Sequence, residues 1–156
     1  MSISKQLAQY ITDAVYDDLD DITIETTKKS LLDALGVTLA ASGLNDACLV
    51  FVDLAERSGG KPESTIIGFD AKVPMIAAAF ANGAMAHALD FEDAHDTALV
   101  HPNAAAIPAA LAAAEALGAV DGKQFIAAVA VACDLVCRLG LAFTKNPSEF
   151  VTDRFQ

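Results

Sequence analysis

Apolar residues recur at helical spacing along most of this chain. Ile3, Leu7, Tyr10/Ile11 and Ala14/Val15 predict a first helix. The acidic run Asp17-Asp18-Leu19-Asp20-Asp21 follows it and reads as a solvated turn. A second helix is expected over about residues 24–41, with Leu31, Leu35 and Leu39 lining one face, Leu32 beside them, and Ser42-Gly43 as the stop. Asn45 is the expected N-cap of a third helix, whose buried stripe is Val50/Phe51 and Leu54/Ala55 and which ends at Gly59-Gly60. The pattern then changes. Ser64-Thr65-Ile66-Ile67-Gly68 has strand propensity, Phe69-Asp70 turns, and Ala71-Lys72-Val73 returns, which predicts a small hairpin. Pro74 opens a fourth helix, about residues 75–89, made almost wholly of small apolar residues. Pro102 begins a fifth, about residues 104–117, which Gly118 terminates. Asp121 and Gln124 form a capping box for a sixth, residues 125–139. That last helix is apolar all round except for Asp134 and Arg138, four apart in the order that favours an ion pair, so it is expected to be buried on every side. The expected fold is therefore all-α: a bundle of about six helices with one small β-hairpin.

Composition narrows the function. With 156 residues the chain is long enough for one domain with a core. Ten Lys and Arg against 21 Asp and Glu give a net charge of −11, with no basic patch, which argues against nucleic acid and against an anionic membrane surface. The mean hydropathy is +0.40, high for a globular domain, and alanine supplies much of it. The most apolar stretch considered as a membrane span, residues 104–120, contains Pro108 and Glu115 and is mostly alanine, so no span is expected. The opening Met1-Ser2-Ile3-Ser4-Lys5-Gln6 has no secretory character. Cys48, Cys133 and Cys137 are odd in number and lack a CxxC, which fits small core residues in a reducing cytoplasm. Residues 144–156 carry no stop, cap or tail signal.

The chemistry concentrates in Ala86-His87-Ala88-Leu89-Asp90-Phe91-Glu92-Asp93-Ala94-His95-Asp96, closed by His101-Pro102-Asn103, between two very apolar helices. Burying such groups without partners is costly, so their position suggests use. The spacing is neither HExxH nor an EF-hand loop, and no metal site is expected. His87 and Asp90, three apart, are placed on one face at the end of the fourth helix. His87 reads as a satisfied core histidine, and Glu92, His95 and Asp96 as solvated loop charges. Asp90 and His101 flank apolar helix ends, where a carboxylate and an imidazole form a general acid–base set suited to moving a proton beside a carbonyl.

Asn82-Gly83-Ala84-Met85-Ala86-His87-Ala88-Leu89-Asp90-Phe91-Glu92-Asp93, followed by His101-Pro102, resembles the signature of the MmgE/PrpD family, which includes 2-methylcitrate dehydratase, cis-aconitate decarboxylase and iminodisuccinate epimerase. Leu31-Leu32-Asp33-Ala34-Leu35-Gly36-Val37, Ser64-Thr65-Ile66-Ile67-Gly68 and Cys137-Arg138-Leu139-Gly140 are similar to the family as well. The resemblance runs through residues 1–156 and corresponds to the N-terminal part of the family's helical domain. Family members are much longer, add a smaller α+β lid domain, and form homodimers without a cofactor or an essential metal. The resemblance implies that Asp90 and His101 belong to the active site and that Asp93 contacts the substrate. It implies a cytoplasmic lyase acting on a di- or tricarboxylate, closest to 2-methylcitrate dehydratase, with an epimerase or a decarboxylase as the nearest alternatives. The family often carries a threonine where this chain has Ala94 and a serine where it has Asn103, and the connection to His101 is about one residue longer than in some members. A di- or tricarboxylate needs Lys or Arg clamps, yet no cation stands between Lys72 and Lys123. The clamps are therefore expected from a C-terminal portion or from a second subunit. A fragment that is inactive alone and only associates with other chains is the non-enzymatic alternative.

Overall fold

The computed structural model describes residues 2–142; the expectations about residues 144–156 lie outside them. Helix α1 (Ile3–Asp13) is capped by Ser2, whose hydroxyl accepts from the Lys5 N–H. The acidic run after it is more than a solvated turn. Tyr16–Asp18 form one 3₁₀ turn, and Asp20 caps α2 (Asp21–Leu44) by accepting from the Thr23 N–H at 2.7 Å. Helix α2 thus starts three residues before the apolar periodicity does. Asp17 reaches Lys123 at 3.1 Å and ties the run to the start of the sixth helix.

Asn45 belongs to the end of α2 and not to the start of α3 (Cys48–Arg57). Its carbonyl oxygen accepts from the Ala47 N–H, and its amide donates to the Ala88 carbonyl at 3.1 Å. An Asx turn has taken the role that an N-cap would have had.

The hairpin forms where it was expected. β1 (Ser64–Thr65) pairs antiparallel with β2 (Lys72–Val73), with Ser64 opposite Val73 and Thr65 opposite Lys72. Two pairs are too few to hold a hairpin in water, so tertiary bonds hold it. Buried Asn82, on α4 (Met75–His87), accepts from the Ile67 N–H and donates to the Thr65 carbonyl, both at 2.9 Å. From α5 (Pro102–Leu117), Glu115 accepts from the Thr65 N–H and hydroxyl, and the Ala112 carbonyl accepts from the Ser64 hydroxyl. The hairpin is therefore a strap across α4 and α5, and Ile66 and Val73 enter the same core as Ala78, Ala81 and Met85.

Small side chains let α4 and α5 approach closely. A Cβ at Gly83 would stand 3.3 Å from the Ala104 carbonyl oxygen. Pro108, inside α5 and lacking an N–H, leaves that same carbonyl without its helical donor. Gly118, at φ +74, ends α5 as its sequence position implied.

Helix α6 (Gly122–Leu141) starts with the expected capping box between Asp121 and Gln124. Arg138 meets Asp134 at 2.5 Å, and Tyr10 donates its hydroxyl to the same carboxylate at 2.7 Å, which seats α1 on α6.

The inward faces of three helices differ from expectation. In α2 the buried residues are Ile24, Thr27, Ala34, Val37, Thr38 and Ala41, whereas Leu32 and Leu39 are 75% and 58% exposed. Helix α3 buries Cys48, Val52 and Ala55 and exposes Val50 and Leu54. Helix α6 buries only Ala127, Val129 and Val131 among its described residues. The reason is steric. The alanine-rich α4 and α5 are met by small and β-branched side chains, and the larger leucines are left on the outer face. By length and hydropathy α6 is comparable to a membrane-crossing helix, a property the sequence reading had not given it. The Asp134–Arg138 pair within it and its packing on α5 and α2 are features of a bundle helix with one side uncovered.

Candidate active site

Helix α4 ends at His87, and the chain turns at once. The Ala88 N–H reaches the Met85 carbonyl and the Asp90 N–H reaches the His87 carbonyl. Asp90 takes φ +58, the left-handed region, which aspartate tolerates better than most residues. Asp90 therefore lies beyond the helix rather than on its last turn. The reversal folds Glu92 back under His87, so that atoms of His87, Asp90 and Glu92 lie within 4.8 Å of one another.

Glu92 departs most from its sequence reading. It is not a solvated loop charge: its side chain is 1% exposed. Oε1 contacts His87 Nδ1 and stands 3.7 Å from His101 Nδ1, and Oε2 is buried with no hydrogen-bond partner among the described residues. A buried carboxylate without a counter-charge is strongly unfavourable, and the two imidazoles are the groups available to supply one. His87 is correspondingly not a core histidine; its side chain is 59% exposed. The His87 and His101 rings stand 5.4 Å apart between centroids.

His101, the residue before α5, is 41% exposed and directs Nδ1 to the backbone carbonyl of Asp93 at 2.7 Å. A carbonyl only accepts, so Nδ1 carries the hydrogen. In the neutral ring Nε2 is then the unprotonated nitrogen, the one able to take a proton. The groups that orient His101 are thus the Asp93 carbonyl and Glu92.

Asp93 closes the loop onto α5. Its carboxylate accepts from the Asn103 N–H at 2.9 Å, at the positive end of the helix. Burial pushes the Asp93 carboxyl above its ordinary value, against the pull of that N–H and of His101. Asn103 is itself buried, and its side-chain oxygen lies 3.6 Å from Cys133 Sγ. His95 is also more than a loop charge. Its Nδ1 accepts from the Ala98 N–H, and its backbone bridges to Val100. Burial pushes the Cys133 thiol up to about 12 and raises Cys48 and Cys137 as well, so all three favour the neutral thiol.

A cleft of about 470 Å³ borders the loop on the Asp93 side, lined by Asp93, Ala94, His95 and Asn103 and by residues of α2 and α6. His87, Asp90 and Glu92 form the group among the described residues whose atoms could converge on an ion.

A family model described as the MmgE/PrpD N-terminal domain matches residues 5–154. Cis-aconitate decarboxylase of Homo sapiens is 32% identical over 155 residues, covering 95% of this chain and 31% of the relative. Cis-aconitate decarboxylase of Mus musculus is 30% identical over 155 residues, covering 95% and 30%. A cis-aconitate decarboxylase-like protein of Aspergillus oryzae is 26% identical over 149 residues, covering 90% and 30%. The chain spans about 30% of the length of the curated relatives it matches.

Proposed function

Because this chain belongs to the MmgE/PrpD family, through its N-terminal domain, we propose that it carries the proton-handling part of a lyase site acting on a di- or tricarboxylate. The observation that carries this reading is His101: its Nδ1 hydrogen is held on the Asp93 carbonyl, its Nε2 is left for proton transfer, and a buried carboxylate lies beside it. A ring so placed is oriented before substrate arrives, and an imidazolium formed on it has a counter-charge within 3.7 Å. Asp90, exposed at the turn, supplies the second acid–base group.

The names of the relatives favour decarboxylation of cis-aconitate. In that reaction the bond to one carboxylate breaks, carbon dioxide leaves, and the electron pair left on carbon takes a proton, here from the His101 imidazolium. Dehydration of 2-methylcitrate is the second reading. Ala94 lines the cleft without the hydroxyl that the family often has there, which changes one substrate contact. In the dehydration His101 removes the proton next to a carboxylate and an acid assists loss of the β-hydroxyl. Neither reading requires a metal or a cofactor.

The cations that would clamp the substrate are supplied from outside the loop, since residues 73–122 contain no Lys or Arg. We assign them to a C-terminal portion or to a second subunit. The exposed apolar faces of α2 and α3 support such an association. The three neutral thiols are compatible with a reducing cytoplasm. The test is turnover of cis-aconitate, 2-methylcitrate and iminodisuccinate by the chain, alone and together with a C-terminal portion corresponding to the rest of the relatives' length. Turnover of one acid supports the proposal and identifies the reaction; failure on all three by the combined protein refutes it.

A further inference from the structure

Glu92 supplies what neither Asp90 nor His101 explains. Its carboxylate is inside the fold, one oxygen faces two imidazoles that come from opposite ends of the loop, and the other oxygen has no partner among the described residues. His87 closes α4 and His101 precedes α5, so the two rings are fixed by different helices and meet at this carboxylate, with their centroids 5.4 Å apart. The other charged groups facing the cluster are Asp90 at the turn, Asp93, and Asp33 of α2, whose charge acts on Asp93, and all three are acidic. Among the described residues, no cation other than an imidazolium is therefore at hand to balance Glu92.

We infer that Glu92 is a positioning residue whose buried carboxylate couples the charges of His87 and His101 into one unit. When His101 gives or takes a proton at Nε2, the charge on its ring changes beside Glu92, and His87 responds through the same oxygen. No bond other than N–H forms or breaks, and the number of protons is conserved between the unit and the substrate or solvent. His87 thereby tunes the charge on the His101 ring without itself touching the reacting atoms. The inference rests on His101 being the proton-transfer group of the proposed site, and it deepens that assignment.

The chain holds only three histidines, His87, His95 and His101, so each ring nitrogen can be followed by long-range proton–nitrogen NMR on the full chain labelled at histidine. His101 is expected as the Nδ1–H form. Glu92→Gln is expected to shift the ring nitrogens of both His87 and His101 and to leave His95 in place. His87→Asn, at a largely exposed side chain that the fold tolerates losing, is expected to shift His101 as well, and its effect is expected to vanish in the Glu92→Gln background. A His101 signal that ignores both substitutions, or that responds to Glu92→Gln alone, overturns the inference. So does saturable Zn²⁺ binding to the metal-free chain that moves His87 and is lost in Glu92→Gln, because the carboxylate would then be a metal ligand. These signals do not require turnover, so a chain inactive on all three acids fails the proposed reaction while the coupled unit is judged separately. Where turnover is found, Glu92→Gln is expected to lower kcat by about 10²-fold with KM little changed, and its loss of KM alone would contradict the positioning role.

Discussion

Asp90 and Asp93 are three residues apart, and their roles separate by backbone and by burial. Asp90 sits at φ +58, where a Cβ crowds the following carbonyl unless the side chain compensates. Asp90→Asn keeps a residue type suited to that conformation and removes only the charge. It is expected to leave the melting temperature within error while reducing turnover. Asp90→Ala is expected to cost about 1 kcal/mol in denaturant unfolding. Asp93 is different, because burial raises its carboxyl above the ordinary value in the folded state. The sign follows from linkage: a group that binds its proton more tightly when folded stabilises the fold at acid pH and loses that contribution as pH rises through its folded pKa. Asp93→Asn keeps an oxygen for the Asn103 N–H and removes the buried charge. Its stability relative to the parent, followed by thermal unfolding, is therefore expected to rise from acid toward neutral pH; a difference that falls over that range would contradict the burial. At this scale the sequence singled out the right segment but not its wiring. Nothing in the spacing of His87 and Glu92 reveals that a left-handed residue between them reverses the chain, and a carboxylate five residues past a helix end reads as solvent-facing until that reversal is seen.

The elements were legible wherever a local signal fixed them. Ser2 and Asp121 cap as their residue types imply, Gly118 ends its helix, and Asp134 meets Arg138 one turn on. Legibility failed where the decision belonged to a neighbouring helix. The leucine row of α2 is the strongest apolar periodicity in that segment, yet α4 presents alanines, and only the Ala34–Thr38–Ala41 face comes close enough to meet them. Asn45 shows the same limit, because an asparagine between two helices can cap either one. Asn82 was visible as part of a motif, but its work as the clasp of the hairpin was not. Removing it leaves the Ile67 N–H and the Thr65 carbonyl without their side-chain partner. Asn82→Ala is expected to destabilise the chain by about 1–3 kcal/mol, measured by urea unfolding. Amide exchange is expected to quicken first at residues 64–73, and exchange unchanged there would contradict the clasp.

At the scale of the whole molecule, the unburied leucines and the missing cations describe the same incompleteness. Leu32, Leu39, Val50 and Leu54 lie on outer faces, α6 is covered on one side, and the acid–base loop has no Lys or Arg of its own. The chain is accordingly expected to associate, with a sedimentation mass above its 16.2 kDa, and to do so less when Leu32 and Leu39 are both replaced by lysine. A wild-type chain that stays monomeric at tens of micromolar, alone and with the C-terminal portion, would contradict that expectation. The sequence conveyed this much through its high hydropathy and acidic balance, although it located the unsatisfied surface in the interior. The most direct measurement of the central claim is the turnover rate of His101→Gln beside the parent, in the combined protein, on whichever of the three acids the parent consumes. A fall of about 10²–10⁴-fold in kcat, with the fold intact by circular dichroism, is the predicted result; a variant that works at the parent's rate would remove the proton-transfer role from His101.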